Sequence, residues 1–88
     1  MIVRVDKSFE KDTDKLKDRK LLQKIADSIR QVQAAKSPAE IQGLKKLSGF
    51  STYYRIRIGE YRIGVFIKGN EAIFERCLHR KDIYRYYP

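Results

Sequence analysis

The 88-residue sequence lacks tryptophan and contains one cysteine, one histidine and one methionine. A single cysteine excludes an internal disulfide framework, and one cysteine with one histidine is too few for a structural zinc site. No apolar run approaches the roughly 20 residues needed to cross a bilayer, and the first eleven residues have no stretch typical of a signal peptide. We therefore expect a single cytoplasmic domain over residues 1–88, with no metal, no cofactor and no membrane partner.

Acidic residues are also scarce, since 11 Asp and Glu stand against 20 Lys and Arg, a net charge of +9. The excess is concentrated in residues 44–88, which carry 10 basic and 4 acidic side chains. Such a charge favours contacts with phosphate groups. It is equally compatible with a soluble basic surface, so the positions of the charges must decide.

The pattern of apolar residues predicts one strand, two helices and then three strands. "MIVRV" reads as a first strand, Ser8 as the N-cap of a helix to about Lys17, and Asp18 as the N-cap of a second helix. The charges in "KDTDKLKDRK" are expected to point away from the apolar stripes of both helices. Strands are predicted at about 52–58, 61–67 and 71–78. This order, β-α-α-β-β-β, indicates an α+β fold in which a helical hairpin packs on one face of an antiparallel sheet.

The stretch "YYRIRIGEYRIGVF" (residues 53–66) predicts a β-hairpin whose turn is Gly59-Glu60. Counting outward from that turn gives one apolar face and one face that carries cations and aromatics. On the second face lie the pairs Arg57–Arg62, Arg55–Gly64 and Tyr53–Phe66. The like-charge pair costs up to about 1 kcal/mol, which is tolerable where an anion binds. Gly64 would leave a hollow for a ligand backbone, and Tyr53 and Phe66 could stack on bases. The alternative is a solvated face neutralised by Glu75.

The closing segment "CLHRKDIYRYYP" adds titratable and basic side chains. A tight turn at Gly69-Asn70 would put Cys77 opposite Arg62, with His79 and Arg80 near the tip of the first hairpin. Metal-free cleavage of RNA needs a base, an acid and cations that hold the phosphorane. Arginine cannot serve as the base, so Tyr84, His79 or a lysine would have to move the protons. Tyr86 and Tyr87 are expected to pack against the sheet.

The "LKKLSG" lead-in, the hairpin and "LHRKDIYRYYP" resemble the RelE/ParE superfamily of toxin–antitoxin toxins. The resemblance implies a ribosome-dependent mRNA endonuclease that cleaves the message in the A site by 2′-OH attack, leaving a 2′,3′-cyclic phosphate. It implies catalytic roles for Arg55, Arg57, Arg62, Arg80 and Tyr84. Well-studied relatives carry lysines at the positions of Arg55 and Arg57, which leaves the general base open between Tyr84 and His79. RNA or ribosome contacts are expected from Lys45, Lys46, Tyr53, Phe66, Lys81 and Arg85.

The resemblance also implies partners: the ribosome, mRNA and a cognate acidic antitoxin that folds on binding. DNA binding by this chain alone is not expected. A ParE-like inhibitor that binds DNA gyrase is the alternative function, and a non-catalytic RNA-binding module is a third. The complete set of four arginines and a tyrosine favours the nuclease.

Overall fold

The computed structural model describes residues 1–88 and contains one sheet, three α-helices and a short 3₁₀ turn. The elements in chain order are β1 (Ile2–Val5), α1 (Lys7–Asp14), α2 (Arg19–Ala34), the 3₁₀ turn (Pro38–Glu40), β2 (Leu44–Lys46), β3 (Tyr53–Ile58), β4 (Tyr61–Lys68), β5 (Glu71–His79) and α3 (Ile83–Tyr86). The strand order across the sheet is β1-β5-β4-β3-β2. No helix has both the length and the apolar character of a membrane span.

The predicted α+β class is confirmed, and the sheet differs from the prediction in two respects. It is mixed, because β1 pairs in parallel with β5. It also has a fifth strand, β2, which pairs antiparallel with β3 and extends the sheet beyond the hairpin. A three-residue strand is too short for alternation to reveal it, and parallel pairing joins segments distant in sequence.

The two helix starts behave differently. Asp18 is the N-cap of α2, since its Oδ1 accepts from the backbone N–H groups of Lys20 (2.9 Å) and Leu21 (3.2 Å). The prediction for Ser8 is wrong: α1 begins at Lys7 and ends at Asp14. The Ser8 hydroxyl instead donates to the carbonyl oxygen of Glu75 at 2.7 Å, which ties α1 to β5.

The main core lies between the sheet and the two long helices. Apolar residues of β3, β4 and β5 form the floor, and Phe9 of α1 meets Phe74 edge-to-face at 5.6 Å. Ile25 and Val32 bring the predicted stripe of α2 onto the same cluster. We call this the inner face of the sheet, and the opposite side the outer face. The cluster comprises Phe9, Ile25, Val32, Ala35, Ile41, Ile56, Ile58, Ile63, Val65, Ile67, Ala72, Phe74 and Cys77.

One charge of the "KDTDKLKDRK" segment does not point to solvent as predicted. Asp12 is only 8% exposed. Its Oδ2 accepts from Arg76 Nε at 2.8 Å and from the backbone N–H of Cys77 at 2.9 Å, and its Oδ1 accepts from Arg76 Nη2 at 3.2 Å. A buried carboxylate requires such partners. Asp12 therefore fastens α1 to β5.

The C-terminal segment builds a second, smaller core on the outer face. Leu47, Ile83 and Tyr87 are buried there, with Tyr53 and Leu78 packed against them. The expectation that Tyr87 packs on the sheet is confirmed, whereas that for Tyr86 is wrong, since Tyr86 is 56% exposed. The tail thus covers part of the outer face and leaves the rest open.

Candidate nucleic-acid interface

The hairpin of β3 and β4 has the predicted register. Ile58 pairs with Tyr61, Arg57 with Arg62, and Arg55 with Gly64. Because side chains alternate along a strand and Ile58 is buried in the core, Arg55 and Arg57 project from the outer face. Three guanidinium groups therefore share one side of a two-stranded ribbon.

The register of β5 differs from the prediction. A bulge at Gly64/Val65 leaves Glu75 without a partner on β4, so Arg62 faces Leu78 and Cys77 faces Ile63. Cys77 is accordingly buried in the main core, and its predicted place opposite Arg62 is wrong. One extra residue moves every later side chain of the strand to the other face.

The same bulge decides where His79 lies. His79 pairs with Tyr61, which packs against the main core from the inner face. The two rings meet edge-to-face at 5.6 Å, and His79 Nδ1 accepts from the backbone N–H of Lys81 at 3.2 Å. Near the hairpin tip, as predicted, the Arg80 N–H donates to the carbonyl of Glu60 at 2.8 Å. The register therefore separates the His79 ring from the arginines of the outer face.

The five residues named by the family resemblance gather around Arg62. Burial lowers the pKa of the Arg62 guanidinium; the charges of Arg55 and Arg57 and, more weakly, of Arg80 lower it further, while Tyr84 raises it. The geometry agrees: Arg57 is paired opposite Arg62, Arg55 Nε bonds the Tyr84 hydroxyl, and the Arg80 backbone bonds Glu60 in the hairpin turn. We call these five side chains, Arg55, Arg57, Arg62, Arg80 and Tyr84, the arginine cluster.

Hydrogen bonds hold two members of the arginine cluster in place. Arg55 Nη1 donates to the carbonyl oxygen of Gly43 at 2.9 Å, and its Nε donates to the Tyr84 hydroxyl at 3.3 Å. Arg62 Nη1 donates to the carbonyl oxygens of Gly59 (2.8 Å) and Tyr61 (2.9 Å). Backbone carbonyls orient a cation without neutralising it. The positive charge of both side chains thus stays available to a ligand.

Carboxylates are almost absent from the arginine cluster. The three salt bridges of the chain are Arg30–Asp27, Arg76–Asp12 and Arg80–Glu60, so only Arg80 of the cluster is paired, at 2.6 Å between Nε and Oε2. Glu75 does not neutralise the arginines, because its Oε1 accepts from the Tyr87 hydroxyl at 2.7 Å. The alternative of a neutralised, solvated face is therefore wrong for Glu75.

The predicted hollow at Gly64 is filled. A Cβ atom built on Gly64 would lie 2.7 Å from Cδ2 of the Tyr87 ring, so that ring occupies the space. Tyr53 packs edge-to-face on Phe66 (5.5 Å) and on Tyr87 (5.8 Å). Both Tyr53 and Phe66 are half-buried, so their rings are engaged by other side chains as well as facing outward.

An open cavity of about 300 Å³ adjoins Arg55 and Tyr84. Its wall is β2, the strand that the sequence pattern did not reveal, with Lys45 paired opposite Arg55. Lys81 and Arg85 are exposed in and beside the tail. The lining comprises Lys45, Lys46, Leu47, Ser48, Arg55 and Tyr84.

This arrangement can bind a phosphodiester and hold charge that develops on it. Guanidinium groups match phosphate oxygens in fork geometry, and preorganised cations stabilise a phosphorane more than the ground state. Among the five side chains of the cluster, the Tyr84 hydroxyl is the only group that can both donate and accept a hydrogen bond. No group of three or more His, Cys, Asp or Glu side chains is placed to hold a metal ion.

Comparison with known proteins agrees with this fold. Residues 3–84 match the family described as ParE toxin of type II toxin–antitoxin system, parDE. The chain is 56% identical over 45 residues to Toxin RelE3 of Methanocaldococcus jannaschii, a match that spans about half the length of each protein. It is also similar to a chain of the RelB–RelE antitoxin–toxin complex from Methanococcus jannaschii, with 38% identity, a TM-score of 0.80 and coverage of 97% of this chain and 99% of that one.

A more distant structure shares the fold alone. The toxin–antitoxin complex RelBE2 from Mycobacterium tuberculosis contains a chain with 21% identity and a TM-score of 0.70, covering 90% of this chain and 96% of that one. The matches above define the class of protein: a toxin of type II toxin–antitoxin systems. Within that class, the chain belongs to the RelE/ParE superfamily.

Proposed function

We propose that this toxin is a ribosome-dependent mRNA endonuclease, which cleaves the message in the A site and so inhibits translation in the cytoplasm. The observation that carries the proposal is the arginine cluster: three guanidinium groups on the outer face, a phenol bonded to one of them and a fourth guanidinium at the hairpin tip, with a single carboxylate among them. The excess positive charge of +9 adds long-range attraction to RNA.

In the proposed reaction the 2′-oxygen attacks the adjacent phosphorus and the bond from phosphorus to the 5′-oxygen breaks. The products are a 2′,3′-cyclic phosphate and a 5′-hydroxyl, so one proton leaves the 2′-hydroxyl and one reaches the 5′-oxygen. Arg55, Arg57 and Arg62 would hold the non-bridging oxygens as negative charge grows on them. No metal ion is required for this route.

Tyr84 is assigned to proton transfer. Its oxygen already accepts a hydrogen bond from Arg55 Nε, so its own O–H is free to point toward a substrate oxygen. That geometry suits donation to the leaving 5′-oxygen, while the proton of the 2′-hydroxyl passes to solvent water and exchange with solvent restores the Tyr84 phenol. His79, the other candidate, lies on the inner side of the sheet beside Tyr61, which makes Tyr84 the stronger assignment.

Primer extension on mRNA in initiated ribosomes with an empty A site tests the proposal. We expect cuts within the A-site codon for the wild type and their loss in Arg62→Ala. Arg19→Ala is the matched control. It removes the same charge, and Arg19 is exposed at the start of α2, on the inner side of the sheet. Cuts that persist in a folded Arg62→Ala variant would overturn the assignment of the site.

A cognate antitoxin of acidic character is proposed as the physiological partner. The similar protein from Methanococcus jannaschii was solved as an antitoxin–toxin complex, and the unpaired guanidinium groups of this chain offer charge complementarity. Operator binding is assigned to the antitoxin, not to this chain. In a calorimetric titration of the toxin with the antitoxin, we expect the affinity to fall steeply with salt. It should be weaker still for the double variant Arg55→Ala, Arg57→Ala.

A ParE-like inhibitor of DNA gyrase is the second candidate function, because the matching family is named for ParE toxins. It requires protein–protein contact and no proton transfer. A folded protein that stops growth, cuts no RNA on ribosomes and inhibits gyrase supercoiling would establish it. A non-catalytic RNA-binding module would be unaffected by Tyr84→Phe, whereas the nuclease loses activity.

A further inference from the structure

We infer that Tyr87 is a positioning residue, whose ring and hydroxyl hold α3 so that the Tyr84 phenol lies against Arg55. We call the contacts of Tyr87 with Gly64 and Glu75 the tail latch. This inference rests on the proposed function, because Tyr84 is the group assigned there to proton transfer. It adds a residue outside the arginine cluster to the machinery of the site.

The ring of Tyr87 seats on the backbone of Gly64. Three ring carbons, Cδ1, Cδ2 and Cε2, would lie 2.7 to 2.8 Å from a Cβ atom on Gly64, a separation that real Cβ atoms do not adopt. Gly64 is also the one glycine of the five that does not have a positive φ. Its backbone therefore accepts any residue, and the need for glycine comes from the ring alone.

The hydroxyl of Tyr87 supplies the second half of the latch. It donates to Glu75 Oε1 at 2.7 Å, and Glu75 is the residue that the bulge leaves unpaired on β5. Burial raises the pKa of the Tyr87 phenol, and Glu75 raises it further, with smaller contributions from Tyr53 and Asp6. The phenol therefore stays protonated as a donor over the working pH range.

The helix that carries Tyr84 cannot hold itself in place. α3 has four residues, and its N-cap residue Asp82 makes no side-chain capping bond. A single turn is unstable alone, so α3 depends on the buried Ile83 at its start and Tyr87 after its end. Tyr84 itself is 62% exposed and is held by one long hydrogen bond.

The test uses Gly64→Ala, Tyr87→Ala, the double variant and Tyr87→Phe, with Tyr86→Ala as the matched control. Tyr86 adjoins Tyr87 but is exposed. A new methyl group on Gly64 expels the ring, so Gly64→Ala and Tyr87→Ala should release the tail equally. The double variant should then have the same activity as Tyr87→Ala alone, so the effects of the two substitutions are not additive in a double-mutant cycle. Tyr87→Phe keeps the ring on Gly64 and removes only the bond to Glu75, so its activity should fall between those of the wild type and Tyr87→Ala.

Two measurements report whether the tail latch is formed, and neither requires RNA. The NMR signal of the Arg55 Nε–H group should shift and exchange faster with solvent in both latch variants, because its Tyr84 acceptor leaves. In spectrophotometric titration, Gly64→Ala should show one more tyrosine ionising before unfolding than the wild type, which has six tyrosines in all. Tyr86→Ala should leave the Arg55 signal unchanged.

The kinetic readout separates positioning from folding. Cleavage on programmed ribosomes should lose about 10- to 100-fold in kcat, the cost of displacing a reacting group by about 1 Å. KM for the ribosome should stay within about 2-fold, because the arginines still bind. An Arg55 signal that is the same in Tyr87→Ala and the wild type would overturn the inference. So would full cleavage by a variant whose Arg55 signal has shifted.

These outcomes are distinct from failure of the proposed function. If the wild type cuts no RNA, the proposed function is wrong, and the Arg55 signal and the tyrosine titration still decide whether Tyr87 positions Tyr84. If the wild type cuts and the latch variants cut equally well, the function stands and the positioning role is wrong.

Discussion

Replacing the buried Asp12 with alanine should destabilise the fold strongly. Asp12→Ala leaves the backbone N–H of Cys77 buried without an acceptor, which costs about 1–3 kcal/mol. It also removes the partner of Arg76, whose side chain is 30% exposed and can regain part of its hydration. The second loss is therefore smaller than the 3–5 kcal/mol typical of a fully buried pair.

Together these terms predict a loss of about 2–4 kcal/mol in the free energy of unfolding. A domain of this length has a total stability of roughly 4–13 kcal/mol, so the change is a large share of it. At about 4–8 °C per kcal/mol, the midpoint of thermal unfolding should fall by at least about 8 °C. Asp12→Asn keeps the volume and one acceptor for Cys77, and should lose about half as much.

Urea unfolding followed by circular dichroism measures the change, with the slope of the transition as a check that the unfolded state is unaltered. Asp14→Ala is the control. It removes the same charge, and Asp14 is exposed at the end of the same helix. It should stay within about 0.5 kcal/mol of the wild type. If Asp12→Ala matches Asp14→Ala, the carboxylate does not fasten α1 to β5 and the reasoning is wrong.

Three further outcomes are expected. Burial raises the pKa of the Cys77 thiol to about 12, so unfolding between about pH 9 and pH 12 releases a proton from this thiol. The free energy of unfolding should therefore fall with rising pH in that window, by up to about 1.4 kcal/mol per pH unit. Urea unfolding at several pH values should show a shallower fall for Cys77→Ala, and an identical profile would contradict this. Glu60→Ala should change stability by less than about 0.5 kcal/mol, since the pair is exposed, yet tighten RNA binding by freeing Arg80; unchanged affinity by fluorescence anisotropy would count against a role for Arg80. Sulfate should raise the unfolding temperature of the wild type more than that of Arg62→Ala, and equal shifts in differential scanning fluorimetry would argue against anion binding at the cluster.

The residues nearest the hairpin were predictable because their structure is local. Strict alternation on both sides of Gly59-Glu60 leaves one register that buries the isoleucines, and a slip would drive the arginines into the core. The cap at Asp18 is local in the same way, since its carboxylate reaches N–H groups only two and three residues ahead. These features depend on neighbours in sequence, and the pairs Arg57–Arg62 and Arg55–Gly64 followed from counting.

The features that sequence reasoning missed depend on contacts between distant segments. Cys77 and His79 lie on the inner face because of a bulge, whose unpaired residue is Glu75. Its carboxylate meets a tyrosine from the tail, twelve positions away. No periodicity in β5 indicates that extra residue. Asp12 was likewise indistinguishable from its charged neighbours until α1 lay across Arg76.

By itself, the sequence determined the α+β class, the hairpin register and the outward projection of Arg55, Arg57 and Arg62, because alternation and turn chemistry act over a few residues. The tertiary structure alone decided that β1 runs parallel to β5, that the tail folds over Gly64 and that Tyr84, not His79, joins the arginines. Each of those outcomes depends on the packing of side chains that are distant in sequence. Such packing leaves no periodic pattern along the chain from which it could be predicted.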